Sequence, residues 1–217
     1  GLQVPLQTGA RITGRILTEG GAVPAEALSA ISIQARPLPG TPAAFQTRTM
    51  LDRPDQALRF TTRPLLPGAY QIVVARLPPG WVLKSVTAAG QNLADRAFDL
   101  GPGGLSDVVV TITDRPTTLS GMVRDASGQP GTRATVAVFP VDKSLWRLPG
   151  MASRRVQTAA PARDGRFAFR GLPSGDYYVV AVDWPTADFS DGQVLTSIIP
   201  HAAKMTLLDG ESRTQDL

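Results

Sequence analysis

The chain writes one pattern twice. Aligning "RITGRIL" with "TLSGMVR" sets Gly14 against Gly121, 107 residues apart. The same shift carries Phe60 onto Phe167, Gly68 onto Gly175 and Tyr70 onto Tyr177. Four landmarks in a single register mark two copies of one fold. The copies are expected over residues 8–113 and 117–217, after an extended segment at residues 1–7.

Each copy has the period of a β-strand. In "ATVAVFPV", Val136 and Val138 share one face while Thr135, Ala137 and Phe139 take the other. In "GRFAFRG", Phe167 and Phe169 oppose Arg166, Ala168 and Arg170. Copy one pairs Ile31 with Ile33, and Val108 with Val110 and Ile112. Such alternation predicts half-buried strands. The reading is all-β, two tandem sandwiches of about seven strands each. The 21 glycines and 19 prolines suit many short strands joined by turns. One stretch, "GQVLTSIIPHAAKM", has room for a helix, and Pro200 limits that helix to a turn or two. In copy one, the length of "PPGWVLKSVTAAGQNLADRAFDL" predicts an added hairpin, with Trp81 over the open end of the sandwich.

The segment "GLPSGDYYVVAV" holds a serine and an acid side by side, Ser174 and Asp176, and so asks whether it is a catalytic loop. Copy one has "LLPGAY" at that place, without either residue, and Pro67-Gly68 there suits a type II turn. The shape of the turn therefore needs neither Ser174 nor Asp176. What recurs is Tyr70 and Tyr177, each opening an apolar strand. A ring sealing the sandwich, with its hydroxyl bonded to nearby backbone, accounts for that recurrence. Upstream, "DG" at 164–165 predicts a hairpin.

The succession "LSGMVRDASGQP", "ATVAVFP" and "DGRFAFRGLPSGDYYVVAVD" resembles the carboxypeptidase regulatory-like domain. That family is a transthyretin-like, Greek-key β-sandwich related in shape to the B-type repeats of surface adhesins. Copy two follows its pattern from Thr118 to Leu217; copy one does so at "ITGRILTEGG" and "LRFTTRPLLPGAYQIVVA". The resemblance implies a non-catalytic stalk, spacer or adhesive module of an exported protein. The peptidase of the family name belongs to a separate zinc domain that these residues do not contain.

Composition narrows the function. With no cysteine there is no disulfide, thiol nucleophile or thiolate metal site. The net charge of +4 comes from scattered arginines, without the basic stripe and interleaved aromatics of a nucleic-acid binder. No apolar run approaches the roughly 18 residues of a membrane span. The start has no charged-then-apolar leader, as in an intracellular chain, a processed form or a fragment of something longer.

The candidate chemical groups are few. His201 is the sole histidine and lacks the neighbours of a triad or zinc site. Asp183, Asp188 and Asp191 share one loop, but their spacing misses the calcium-loop pattern, so turn-forming roles are favoured over a metal site. Trp146, Trp184 and Phe189 are candidates for an exposed aromatic platform that binds a glycan or a cell-surface protein. In "GLQVPLQTG", Leu2, Val4 and Leu6 make one face apolar, a candidate donated strand for self-association into a polymer.

The expectation is a non-enzymatic module without cofactor, in an extracellular, cell-surface or periplasmic setting. It would serve as a spacer, in surface assembly or in adhesion, without nucleic-acid binding or membrane insertion. Two alternatives stand beside it: a carbohydrate-binding module, and the accessory domains of a longer exported enzyme or transporter.

Overall fold

A computed structural model of the chain describes residues 9–28, 31–39, 55, 58–148, 151–184 and 187–217. The fold divides into two units, Gly1–Asp114 and Arg115–Leu217. The first holds β1 (Ile12–Glu19), α1 (Ala25–Leu28), β2 (Ser32–Pro37), β3 (Arg59–Thr61), β4 (Gly68–Ala75), β5 (Val82–Ala88), β6 (Gln91–Asn92), β7 (Phe98–Leu100) and β8 (Leu105–Thr113). Its sheets run β3-β1-β8-β5-β6 and β2-β4-β7. The core includes Ile12, Phe60 and Val110 from the larger sheet, and Ile33, Tyr70 and Ile72 from the smaller.

The second unit holds β9 (Thr118–Met122), β10 (Thr135–Pro140), β11 (Arg147–Leu148), β12 (Met151–Ala152), β13 (Gln157–Ala159), β14 (Arg166–Arg170) and β15 (Gly175–Val182). It continues through α2 (Gly192–Ile198), β16 (Ala203–Leu207) and β17 (Ser212–Thr214). Its sheets run β13-β10-β15-β16 and β14-β9-β17, with β11-β12 as a separate ribbon. Among the described residues seven strands build the two facing sheets. Among the described residues the first unit shows eight, because the predicted hairpin, β5 with β6, is added at the edge of β8. Trp81, just before β5, is partly buried against the core.

The 107-residue shift holds in the strand pairing itself. Gly14 faces Phe60 and Gly121 faces Phe167; Gly68 faces Leu100 and Gly175 faces Leu207. In both units the last strand lies parallel to the first, β8 on β1 and β17 on β9. That close approach explains a glycine within a strand, where the lack of a side chain otherwise weakens the sheet. A Cβ on Gly14 would run into the Val108 carbonyl oxygen, and one on Gly121 into that of Gln215. The partner phenyl rings cover both glycines, with Cζ 2.8 Å and 2.9 Å from where the methyl would sit.

Four expectations need correction. The Asp164-Gly165 turn does have positive φ (82° at Gly165), but it joins β13 of one sheet to β14 of the other and is no hairpin. Phe167 and Phe169 must face the core, and that places β14 on β9 instead. Gly68 and Gly175 have φ of 155° and 147°, well beyond the roughly +80° of a type II turn. Each already begins its strand. Helical turns are also more numerous than expected: α1 follows Pro24, whose carbonyl accepts the Ala27 N–H at 2.9 Å.

The fourth correction concerns β10, which is buried on both faces. Val136 and Val138 enter the core between the sheets, while Ala137 and Phe139 enter a second apolar cluster outside. Leu195 and Ile198 of α2 cover that outer cluster together with Trp146. The alternation of β10 is real, but both of its faces are apolar because the long loops return over the sheet.

Candidate functional site

The corner that resembles a catalytic loop is a hydrogen-bonded device of the second unit. The Tyr177 ring has 0% exposure. Its hydroxyl donates to the Pro173 carbonyl at 2.7 Å and accepts from Arg155 Nη1 at 3.1 Å. Arg155 also donates to the Ser174 carbonyl at 3.0 Å. In the first unit the Tyr70 hydroxyl donates to the Leu66 carbonyl at 2.9 Å, again four residues back. Leu66 and Pro173 stand 107 residues apart, and since a carbonyl is the acceptor the side chains there need not match. Asp176 points elsewhere, accepting from Thr206 Oγ1 at 2.6 Å. Arg155 went unnoticed in the sequence, because nothing in "SRRV" shows that one of its arginines reaches a turn 19 residues on.

Burial holds the Tyr70 phenol above its ordinary pKa of 10.0. Protonated, it stabilises the fold fully below about pH 10. Above that pH the unfolded chain releases a proton that the folded chain retains, so stability falls as pH rises toward the folded pKa. Hydrogen exchange of the first unit should therefore accelerate more steeply above pH 10 in wild type than in Tyr70→Phe. Identical alkaline profiles would contradict a buried, hydrogen-bonded phenol.

The three loop aspartates do not converge. Asp183 pairs with Arg133 at 2.8 Å, Asp188 accepts from the Ser190 amide and hydroxyl at 2.9 Å and 2.6 Å, and Asp191 caps α2 through the Gln193 amide at 2.9 Å. Among the described residues no group of three histidine, cysteine, aspartate or glutamate side chains is placed to hold a metal ion.

The aromatic platform does not form. Trp146 is only 5% exposed; its indole N–H donates to the Pro140 carbonyl at 2.6 Å and its ring meets Phe139 edge-on, 5.6 Å between centroids. The chain needs Trp146 to roof the outer cluster, because Ala137, Phe139 and Val180 would otherwise face water. Phe189 packs against the same cluster, which leaves Trp184, at 43%, as the exposed member of the three. Leu2, Val4 and Leu6 lie outside the described residues.

His201 lines a cavity of about 630 Å³ together with Arg124, Asp125, Arg133 and Asp183. The charges there are engaged with one another or with backbone. Arg133 takes Asp183, Arg124 donates to the Gly128 carbonyl at 3.0 Å, and Asp125 accepts from the Ser127 hydroxyl at 2.6 Å. The Ser127 hydroxyl and the Gln129 amide hold the Asp125 carboxyl below its usual pKa. The lining holds no serine or cysteine, and its side-chain hydroxyl is that of Thr132.

Residues 118–190 match the family model of the carboxypeptidase regulatory-like domain. Over those residues the second unit is similar to that family. The matched stretch of the regulatory-like domain runs from β9 through the tyrosine corner and β15 to the Asp188 turn. No curated protein sequence matches the chain.

Among solved structures the chain is similar to a variant of the shaft pilin SpaA of Lactobacillus rhamnosus GG, at 12% identity over 97% of each chain, with a TM-score of 0.34. It is similar to the minor pilin GBS52 of Streptococcus agalactiae at 14% identity, over 96% of this chain and 94% of that one, with a TM-score of 0.35. The TIE protein of Bacillus anthracis is 12% identical, with a TM-score of 0.32; 97% of this chain is covered, but it spans about 33% of that longer protein.

Proposed function

We propose that this chain is a non-catalytic structural module of an exported protein, acting at the cell surface or in the envelope as a spacer or assembly element. The observation that carries the reading is what the repeated residues do. Gly14 and Gly121 admit a neighbouring backbone, Phe60 and Phe167 cover those glycines, and Tyr70 and Tyr177 fasten a corner. Repetition over 107 residues thus preserves devices of folding and carries no reactive group. The match of residues 118–190 to the carboxypeptidase regulatory-like domain supports the same reading. No helix of the described residues is long and apolar enough to cross a membrane.

Assays with ester, glycoside and peptide substrates should find no turnover above background. Hydrolysis that disappeared in Ser174→Ala or His201→Ala would overturn the reading.

Self-association through a donated strand belongs to the same proposal. The apolar alternation of Leu2, Val4 and Leu6 supplies a donor, and edge strands such as β16 supply acceptors. A head-to-tail contact of this kind does not close on itself and so yields a filament. Deleting residues 1–7 should abolish polymers visible by light scattering. Polymers that survive the deletion, or a wild-type chain that stays monomeric at high concentration, would rule the strand out.

A further inference from the structure

The edge of the larger sheet in the first unit carries an arrangement that its own fold does not require. On β1 and just before it the outward residues run Arg11, Thr13, Arg15; on β3 and just beyond they run Arg59, Thr61, Arg63. Arg15 stands directly opposite Arg59, and Thr13 opposite Thr61. The Thr62 amide donates to the Ile12 carbonyl at 2.9 Å and Ala10 then pairs with Leu65, a one-residue shift that leaves Arg11 across from Arg63 and Pro64. Two pairs of guanidinium groups therefore bracket two threonines. All four arginines are exposed, while Ile12, Phe60 and Thr62 between them are buried.

Like charges directly opposite on one face of a sheet are destabilising. The protein does little to relieve them. Arg11 Nη1 donates to the Thr62 carbonyl at 2.9 Å, but among the described residues no acid pairs with Arg15, Arg59 or Arg63. Asp55 accepts the Arg59 amide, and exposed Asp107 lies on the neighbouring β8. The second unit serves as an internal control. There Thr118, Ser120 and Met122 take the places of Arg11, Thr13 and Arg15, opposite Arg170, Ala168 and Arg166. Arg166 has its own acid, Asp164, at 3.3 Å. The same fold thus forms without opposed arginines.

We infer that this face of the first unit binds a linear anionic polysaccharide, one bearing sulfate or carboxylate groups. A guanidinium fork takes an oxyanion in two parallel hydrogen bonds, and an anion between opposed arginines turns their repulsion into attraction. The two pairs are four residues apart along the strand, about 13 Å at about 3.3 Å per residue. That suits acid groups repeated along an extended chain. Thr13 and Thr61 lie between the pairs and offer hydroxyl contacts to the sugar. A nucleic acid fits poorly, since β1, β5 and β8 hold no aromatic residue for stacking and Phe60 is buried. This inference is independent of whether the chain polymerises.

The test measures retention of the full chain on immobilised heparin and on polygalacturonate, with neutral dextran and polyglutamate as comparison surfaces. Wild type should be held by one or both anionic glycans and released between about 0.1 M and about 1 M salt, as the Debye length falls from about 10 Å to about 3 Å. Arg15→Gln with Arg59→Gln should weaken binding about tenfold or more, while Arg166→Gln with Arg170→Gln should change it by about twofold or less. Without ligand at low salt, Arg15→Gln alone should raise the Tm, because it relieves the opposed pair. Absence of glycan retention, equal losses in both double variants, or equally strong binding to polyglutamate would each overturn the inference. So would a Tm that is unchanged or lowered.

Discussion

Tyr177→Ala is expected to lower the stability of the second unit by about 3–5 kcal/mol, a large part of a domain's usual margin. The ring is wholly buried among Val136, Val138, Phe167 and Met205, so its removal leaves a cavity in the only core between these two sheets among the described residues. It also strips the Pro173 carbonyl of its donor and Arg155 of an acceptor. Tyr177→Phe should cost much less, about 0.5–1.5 kcal/mol, since packing persists and Arg155 keeps the Ser174 carbonyl. Chemical denaturation of both variants checks the difference. Two midpoints equal to wild type would mean that the corner does not hold the sandwich together.

Gly121→Ala should rank beside it, at about 3 kcal/mol, the upper end of overpacking costs. The added methyl would meet the Gln215 carbonyl oxygen and the Phe167 ring. Backbone cannot step aside as a flexible side chain can, so β9 and the terminal strand must part. Gly103→Ala is the matched control, because a Cβ there meets nothing within 4 Å and the change should stay within about 0.5 kcal/mol. Equal stability of the two alanine variants would show that the close approach of first and last strands is not what selects glycine.

Much of the fold was legible because the sequence states its constraints twice. Glycine, phenylalanine and tyrosine recur where the backbone or the core leaves one solution, whereas Ser174 and Asp176 have no counterparts, and the corner bond goes to the Pro173 carbonyl. Pairings between distant segments were not legible. The turn at Gly165 looked like a hairpin because its local chemistry is that of a hairpin, while the sheet to which β14 belongs is decided by Gly121, more than forty residues earlier. Trp146 looked exposed because it sits in a loop; that α2 returns to close a second cluster over β10 is a tertiary fact. The opposed arginines stayed hidden for the same reason, since Arg15 and Arg59 meet only once β1 and β3 are in register.

What the 107-residue repetition repeats is a set of folding devices. The most direct test of this claim is residue-resolved hydrogen exchange on the full chain with Gly14→Ala and Gly121→Ala made separately. Gly14→Ala should collapse protection where β1 meets β8 and leave β9 to β17 as in wild type; Gly121→Ala should do the reverse. Wild-type protection at the altered pairing in either variant would contradict the claim.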